Sequence, residues 1–389
     1  MSSRVLSASR STCRLHRPLA QRRCLSTDPV ASTNPTIAPT TEARRPRRIF
    51  SGIQPTGIPH LGNYLGALSN WVALQRDASP SDELIFSVVG WHALTMPQKP
   101  KELAKSRQDM LAVLLAIGLD PKRAIIFHQD HNPAHTELAW IFNCMTSLGQ
   151  LRRMTTWKSK IATARNAKDE SEIDESQLNA GLLTYPVLQA ADILAYRATH
   201  VPVGDDQTQH IELCRDLADL FNRRYKGKTT MFPLPQIIKT QTKRVLSLRD
   251  PSAKMSKSSP DLNSRILLTD TAAQIQSKIR SAVTDGLGEL TYDPENRPGT
   301  ANLLTILGAI TGQDDLHALA ARYAGKGHAE LKADTADAVE EAIKGPRAEF
   351  ERIRTESAYL EEVARDGARR AREKTDVTMA EVRARVGLA

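Results

Sequence analysis

Arg48-Ile49-Phe50-Ser51-Gly52-Ile53-Gln54-Pro55-Thr56-Gly57-Ile58-Pro59-His60-Leu61-Gly62-Asn63 reads as a strand, a tight turn and the start of a helix. The largely apolar run Arg48 to Ile53 suits a buried strand, and Gln54-Pro55 ends it. Beyond the turn, Leu61, Leu65, Leu68, Val72 and Leu74 fall mostly on one face of a helix over 61–76. Residues 84–89 predict a second strand, 101–117 a second helix and 124–127 a third strand. That β-α-β-α-β order predicts an α/β fold with a doubly wound, Rossmann-like parallel sheet. Ligands of such sheets lie at the carboxyl ends of the strands, where Gln54 to Asn63 falls. Gly52, Gly57 and Gly62 let backbone approach a ligand closely, and the N–H groups of a helix start attract anions. His60 and Asn63 add side-chain donors one helical turn apart, expected to face the same ligand, so the stretch predicts a nucleotide site.

Working outward, residues 134–225 are mainly helical, interrupted near 165–178 by a polar, charged loop. A strand is expected at 200–203, ending at Gly204-Asp205-Asp206, and another at 244–248. The latter feeds Lys254-Met255-Ser256-Lys257-Ser258, which lies between Asp250-Pro251 and Pro260. Two ammonium groups and two hydroxyls in five residues supply donors for a polyphosphate, while the prolines discourage helix. Alone, such a run also fits a solvated loop; paired with the turn at 54–63 it points to phosphate chemistry. After Asp261 the pattern is helical over 301–312, 314–323, 335–344, 346–365 and 376–387. We therefore expect a catalytic domain with a helical insertion over 48–260 and an all-helical domain over 261–389.

A length of 389 residues allows two or three domains, and no apolar run approaches the roughly 18 residues that span a bilayer, so no membrane partner is expected. The net charge of +9 is concentrated at one end: residues 1–48 hold ten Arg, no Lys and two acids. The remainder is close to neutral, so global basicity is not evidence for an RNA partner. Residues 1–47 have the Arg- and Ser-rich, acid-poor composition of a mitochondrial transit peptide followed by a linker, implying the mitochondrial matrix. Arg23-Cys24-Leu25-Ser26 resembles a matrix-protease site. Cys13, Cys24, Cys144 and Cys214 form no Cys-x-x-Cys pair, which predicts free thiols in a reducing compartment. His128, His131 and His135 do not make a convincing metal site, because Pro133 interrupts their helical spacing; no metal ligands are predicted. Gly227-Lys228-Thr229 lacks the upstream glycine of a P-loop, since Asn222 stands there.

The turn continued as Gln54-Pro55-Thr56-Gly57-x-x-His60-Leu61-Gly62-Asn63-Tyr64-Leu65-Gly66-Ala67, with the 254–258 loop, resembles the class I aminoacyl-tRNA synthetases. Ala180 to Pro186, Gln189 to Leu194 and Val201 to Leu213 extend the resemblance to the tryptophan-specific family within that class. The resemblance implies activation of L-tryptophan by ATP with Mg²⁺, transfer to tRNA(Trp), and a homodimer with an interface around 136–148. It implies catalytic roles for Gln54, Asn63, Lys254 and Lys257, the two lysines neutralising the departing pyrophosphate. It implies ATP contacts from Gln54, Pro55, Thr56, His60, Gly62, Asn63, Gly204, Asp205, Asp206, Val245 and the loop Lys254, Met255, Ser256, Lys257 and Ser258. Tryptophan selection falls to Asp192, because indole offers one N–H donor and no acceptor. Tyr185 and Gln207 are expected around the substrate ammonium, and Phe50 and Val203 are pocket walls or core. Two positions depart from the family pattern: Gln189 stands where a Met is frequent, and Gly90 where an Asp is frequent, just before His92-Ala93-Leu94-Thr95. Two rival readings are a tyrosine-specific synthetase, which shares the fold and both ATP motifs, and a non-catalytic RNA-binding relative.

Overall fold

A computed structural model describes residues 46–154, 157, 178–204, 207–239, 244–257 and 259–389. The expectations for residues 1–45, for most of the polar loop at 165–178, and for Asp205, Asp206 and Ser258 lie outside the described residues. Five strands are described: β1 (Arg48–Ile53), β2 (Glu83–Val88), β3 (Ile125–His128), β4 (His200–Val203) and β5 (Gln236–Lys239). They form one parallel sheet in the order β3-β2-β1-β4-β5. The order reverses between β1 and β4, which opens a crevice at their carboxyl ends.

Both faces of the sheet are covered, as parallel sheets require. Ile49, Phe86, Val88 and Ile126 face a core shared with helices Pro100–Ala116, Pro298–Thr311 and His328–Ile353. Phe50, Ile85, Ile125 and Phe127 face a second core with helices Ala134–Asn143, Ala180–Leu194, Thr208–Arg224 and Ser357–Val386. The alternation of β1 side chains between the two cores is the period-2 pattern of a strand. Residues Pro46–Ala389 form one compact unit.

The structure corrects three expectations. Arg244–Leu248 is not a sheet strand, and the fifth strand is Gln236–Lys239 instead. The backbone of Leu246 is met by a side chain: its N–H donates to Asn302 Oδ1 at 2.8 Å and its carbonyl accepts from Asn302 Nδ2 at 3.1 Å. An amide from helix Pro298–Thr311 thus takes the place of a neighbouring strand. Second, helix His328–Ile353 runs through Gly345-Pro346, where a break was expected. Buried Ile343 and Phe350 continue one apolar stripe across the proline, and packing outweighs the lost N–H. Third, residues 357–386 form one 30-residue helix rather than parts of two. The amphipathic helix after the turn is interrupted by a π-helical segment, Tyr64–Leu68, between Leu61–Asn63 and Ser69–Asp77.

Helix Ser357–Val386 returns from the chain's end to lie against β3. Gly367 permits the approach: a Cβ there would stand 1.9 Å from the Ile126 carbonyl oxygen. Gly367→Ala is expected to push helix and sheet apart and to cost about 1–3 kcal/mol, read as a lowered Cm in urea unfolding.

Candidate active site

The turn at 54–63 and the Lys/Ser loop, some 200 residues apart in the chain, meet in space. The Lys257 ammonium donates to the carbonyl oxygens of Gly57 (2.8 Å) and Thr56 (3.2 Å) and to Thr56 Oγ1 (3.3 Å). Beside this contact Ile53, Gln54, Thr56, Pro59, Asn63, Met110 and Lys257 line a cavity of about 230 Å³ at the carboxyl end of β1. Burial and the nearby Arg265 guanidinium lower the Lys257 pKa to about 8. Burial, followed by Lys257, Lys254 and Arg265, lowers His60 to about 4, so its imidazole is neutral at physiological pH. Three cations thus converge on the turn, and positive charge gathered there favours an anionic ligand.

His60 and Asn63 are not both turned to that ligand as expected. They form a capping box: Asn63 N–H donates to His60 Nδ1, and His60 N–H donates to Asn63 Oδ1, each at 3.2 Å. The orphan N–H groups of the helix start draw these side chains inward. Asn63 still lines the cavity, while His60 is buried and is not among its lining residues. Pro55 and Met255 are also buried; Met255 sits in the core and anchors the loop from within. Its N–H donates to the Val245 carbonyl at 3.1 Å, and Ser247 N–H donates to the Ala253 carbonyl at 2.9 Å. The Lys/Ser loop is therefore folded back on 245–247, which Asn302 holds. Gly62 makes room for the His60 ring, since a Cβ there would lie 3.1 Å from its Cε1 and Nδ1. Lys254 stays exposed, Ser256 is half-buried, and Gly204 ends β4 across the crevice.

Asp192, on helix Ala180–Leu194, is 1% exposed. Its Oδ1 accepts from Gln129 Nε2 and His135 Nδ1, both at 2.7 Å, and its Oδ2 meets His92 Nε2 at 2.8 Å. Burial by itself would raise this carboxyl, but the hydrogen bonds from His135 and His92 outweigh it and hold the pKa at about 2. A carboxylate has about four acceptor positions, two on each oxygen. Among the described residues Oδ1 is filled twice and Oδ2 once, which leaves one acceptor position, on Oδ2.

A second polar group adjoins it. His210 Nδ1 donates to Gln189 Oε1 and Gln207 Oε1, each at 2.9 Å, and its Nε2 lies 3.2 Å from the Tyr185 hydroxyl. The Tyr185 ring meets the His92 ring edge-on, with centroids 6.3 Å apart. Gln189, the first departure from the family pattern, thus helps orient His210. Gly90, the second, makes room for a neighbour: a Cβ there would stand 2.8 Å from Asp130 Oδ1, in the carboxylate that pairs with Arg107 at 2.5 Å. Phe50 is core, stacked on Tyr196 at 5.4 Å, and Val203 is half-buried. The three histidines weighed as metal ligands part company: His128 and His131 pack edge-on at 5.3 Å, while His135 is engaged by Asp192 and Tyr196.

Sequence reading assigned no role to His92, Gln129, His135, His210 or Arg265. The His92-Ala93-Leu94-Thr95 segment was visible, but nothing in it says that His92 reaches a residue 100 positions away. Arg265 lies beyond the expected domain boundary at 260, yet acts on His60 and Lys257.

Lys257 generates a pH prediction. Its ammonium is present below about 8 and is lost as pH rises through that value. Because kcat/KM reports the free enzyme, kcat/KM for the phosphate-bearing ligand is expected to fall above pH 8. Lys257→Arg, which stays charged, should remove that limb of the profile even where its absolute rate is lower.

The family model described as tRNA synthetases class I (W and Y) matches residues 41–344. The chain is 43% identical over 341 residues to the mitochondrial tryptophan--tRNA ligase of Saccharomyces cerevisiae, covering 86% of this chain and 89% of the relative. It is 45% identical over 342 residues to the tryptophan--tRNA ligase of Mycobacterium leprae, covering 87% and 96%. Tryptophanyl-tRNA synthetase from Mycoplasma pneumoniae superposes with a TM-score of 0.75 at 33% identity, over 88% of this chain and 98% of that one. The Campylobacter jejuni enzyme, solved with ADP and tryptophan, gives 0.70 at 29% identity, over 88% of this chain and 100% of that one. The two phosphate-binding motifs, the buried carboxylate and these likenesses converge: the chain belongs to the class I tRNA synthetases for tryptophan and tyrosine, and within them to the tryptophan--tRNA ligases.

Proposed function

We propose that this chain activates L-tryptophan with MgATP, forming tryptophanyl-adenylate and pyrophosphate, and then transfers the acyl group to the terminal ribose of tRNA(Trp). The observation that carries the choice of amino acid is the one open acceptor position on Asp192 Oδ2, inside an otherwise satisfied, buried site. The indole N–H is a single donor, and a carboxylate short of one donor reads it directly. A site built to hydrogen-bond a substrate group rejects analogues lacking that group by as much as ~10⁴–10⁵. Tyr185, Gln207 and the His210 they surround hold the region of the substrate's ammonium.

In the first step the tryptophan carboxylate attacks the α-phosphate and pyrophosphate leaves. Such a displacement needs positioning and charge neutralisation more than acid–base groups. Gln54, Thr56 and Asn63 hold the nucleotide at the end of β1, and Lys254 and Lys257 neutralise the pyrophosphate, with Mg²⁺ arriving on the substrate. Loss of one preorganised contact of this kind costs on the order of 3–4 kcal/mol in the barrier. Lys257 reaches the turn through carbonyl oxygens, which the phosphates displace on binding. Gly204, with Asp205 and Asp206, receives the ribose hydroxyls, and the Val245 backbone meets adenine.

The helical part from 261 onward carries the anticodon contacts. Several of its cations are already engaged: Arg352 with Glu349 and Glu356, Arg369 with Asp366 and Glu373, Lys374 with Glu83. Trp140 and Leu148, 70% and 62% exposed, support a homodimer interface on the segment 136–148. The Arg-rich residues 1–47 direct the chain to the mitochondrial matrix.

ATP–pyrophosphate exchange tests the reading. Tryptophan is expected to drive exchange and tyrosine is not; exchange with tyrosine alone, or none with either, defeats it. Asp192→Asn should cost about 1.5–3 kcal/mol of selectivity for the indole N–H, with the KM for ATP little changed.

A further inference from the structure

Behind Asp192 runs a chain of buried hydrogen bonds that ends on the C-terminal helix. His135 Nε2 lies 2.8 Å from the Tyr196 hydroxyl. That hydroxyl accepts from Asn132 Nδ2 at 3.0 Å, and the same Nδ2 donates to Thr375 Oγ1 at 3.0 Å. Asn132 Oδ1 in turn accepts from Ala134 N–H at 3.2 Å and from Thr375 Oγ1 at 3.3 Å. Asn132 is 1% exposed, and His135, Tyr196 and Thr375 are 0% exposed. Thr375 belongs to helix Ser357–Val386, and the others to the end of β3, helix Ala134–Asn143 and the residues after helix Ala180–Leu194.

The direction of this chain is set at Tyr196, since the single Thr375 proton is shared between Asn132 Oδ1 and the Arg372 carbonyl at 3.2 Å. Burial raises the Tyr196 phenol well above its ordinary range, so it keeps its proton. The hydroxyl accepts from Asn132, and giving its own proton to His135 Nε2 is the arrangement that leaves neither atom without a partner. His135 Nδ1 then carries the proton that goes to Asp192 Oδ1. The opposite tautomer would set a lone pair against the carboxylate and turn it. With Gln129 and His135 both on Oδ1, the carboxylate is pinned from behind and its open acceptor is confined to Oδ2.

We propose that Tyr196, Asn132 and Thr375 are positioning residues for tryptophan selection, holding His135 in one tautomer so that Asp192 offers its single free acceptor in one direction. The seating of the C-terminal helix on the sheet thereby enters the choice of amino acid. This rests on the reading that Asp192 Oδ2 takes the indole N–H.

The test compares tryptophan with β-(3-benzothienyl)alanine, in which sulfur replaces the ring N–H, by kcat/KM in ATP–pyrophosphate exchange on the full chain. Tyr196→Phe should lower the preference for tryptophan roughly tenfold, the scale set by one buried hydrogen bond. Thr375→Val should lower it several-fold. Thr375→Ser, which keeps the hydroxyl, should restore it, and the KM for ATP should not move in any of the three. Thermal midpoints are recorded alongside. If Tyr196→Phe or Thr375→Val lowers the midpoint but leaves the preference at the wild-type value, the residues are structural only and the proposal fails. Asp192→Asn separates the two readings. If it too keeps the preference, the assignment of Asp192 to the indole N–H is what fails; if it alone loses the preference, the chain behind it is overturned.

Discussion

An ionised carboxylate buried to 1% exposure is the constraint around which the second half of the site is built. A charge there must be met by donors, and the donors must come from somewhere. They arrive from three directions: His92 after β2, Gln129 after β3, and His135 on helix Ala134–Asn143. Each donor is itself held. Gln129 is aimed because its Oε1 accepts from Trp91 N–H at 3.0 Å, leaving Nε2 for Asp192. His135 is aimed by Tyr196. Gln129, His135 and Tyr196 each make a further hydrogen bond behind the carboxylate, and low polarity makes each of those bonds stronger than it would be in water.

The nucleotide half follows a different logic. There the protein gathers positive charge at the turn, and burial first, then the neighbouring cations, depress the pKa values of Lys257 and His60. That depression is relieved only when an anion binds. The backbone contributes as much as the side chains: Thr56 and Gly57 carbonyls hold Lys257, and Gly57, at φ 87°, takes the left-handed conformation a glycine accepts without strain. The turn at 54–63 lies at the carboxyl end of β1, beside the place where the strand order reverses between β1 and β4, which is where sheets of this type hold their ligands.

Much of the fold was legible because its signals are local. Apolar runs and helical spacing placed β1 to β4, and the ends of the helical stretches between β1 and β3, within a residue or two. The failures were also local signals, overridden by contacts from a distance. Arg244–Leu248 looks like a strand, but Asn302 supplies the partner a strand would have needed. Gly345-Pro346 looks like a helix end, but the apolar stripe continues past it. At the site, Lys257 and Asp192 were named from the sequence, while His92, Gln129, His135 and Arg265 were not. Histidine and glutamine carry no periodic signature, and their roles come from hydrogen bonds that span 57 to 100 residues of chain.

By itself, then, the sequence determined the parallel sheet, the turn at 54–63, the Lys/Ser loop and the choice of Asp192 as the residue to look at, because each depends on residue type and short-range spacing. Only the tertiary structure decided that His60 and Asn63 cap one another, that Met255 is an anchor, and which oxygen of Asp192 stays open. Those outcomes turn on which donors reach a given acceptor. That is a matter of three-dimensional hydrogen-bond satisfaction, which no one-dimensional pattern records.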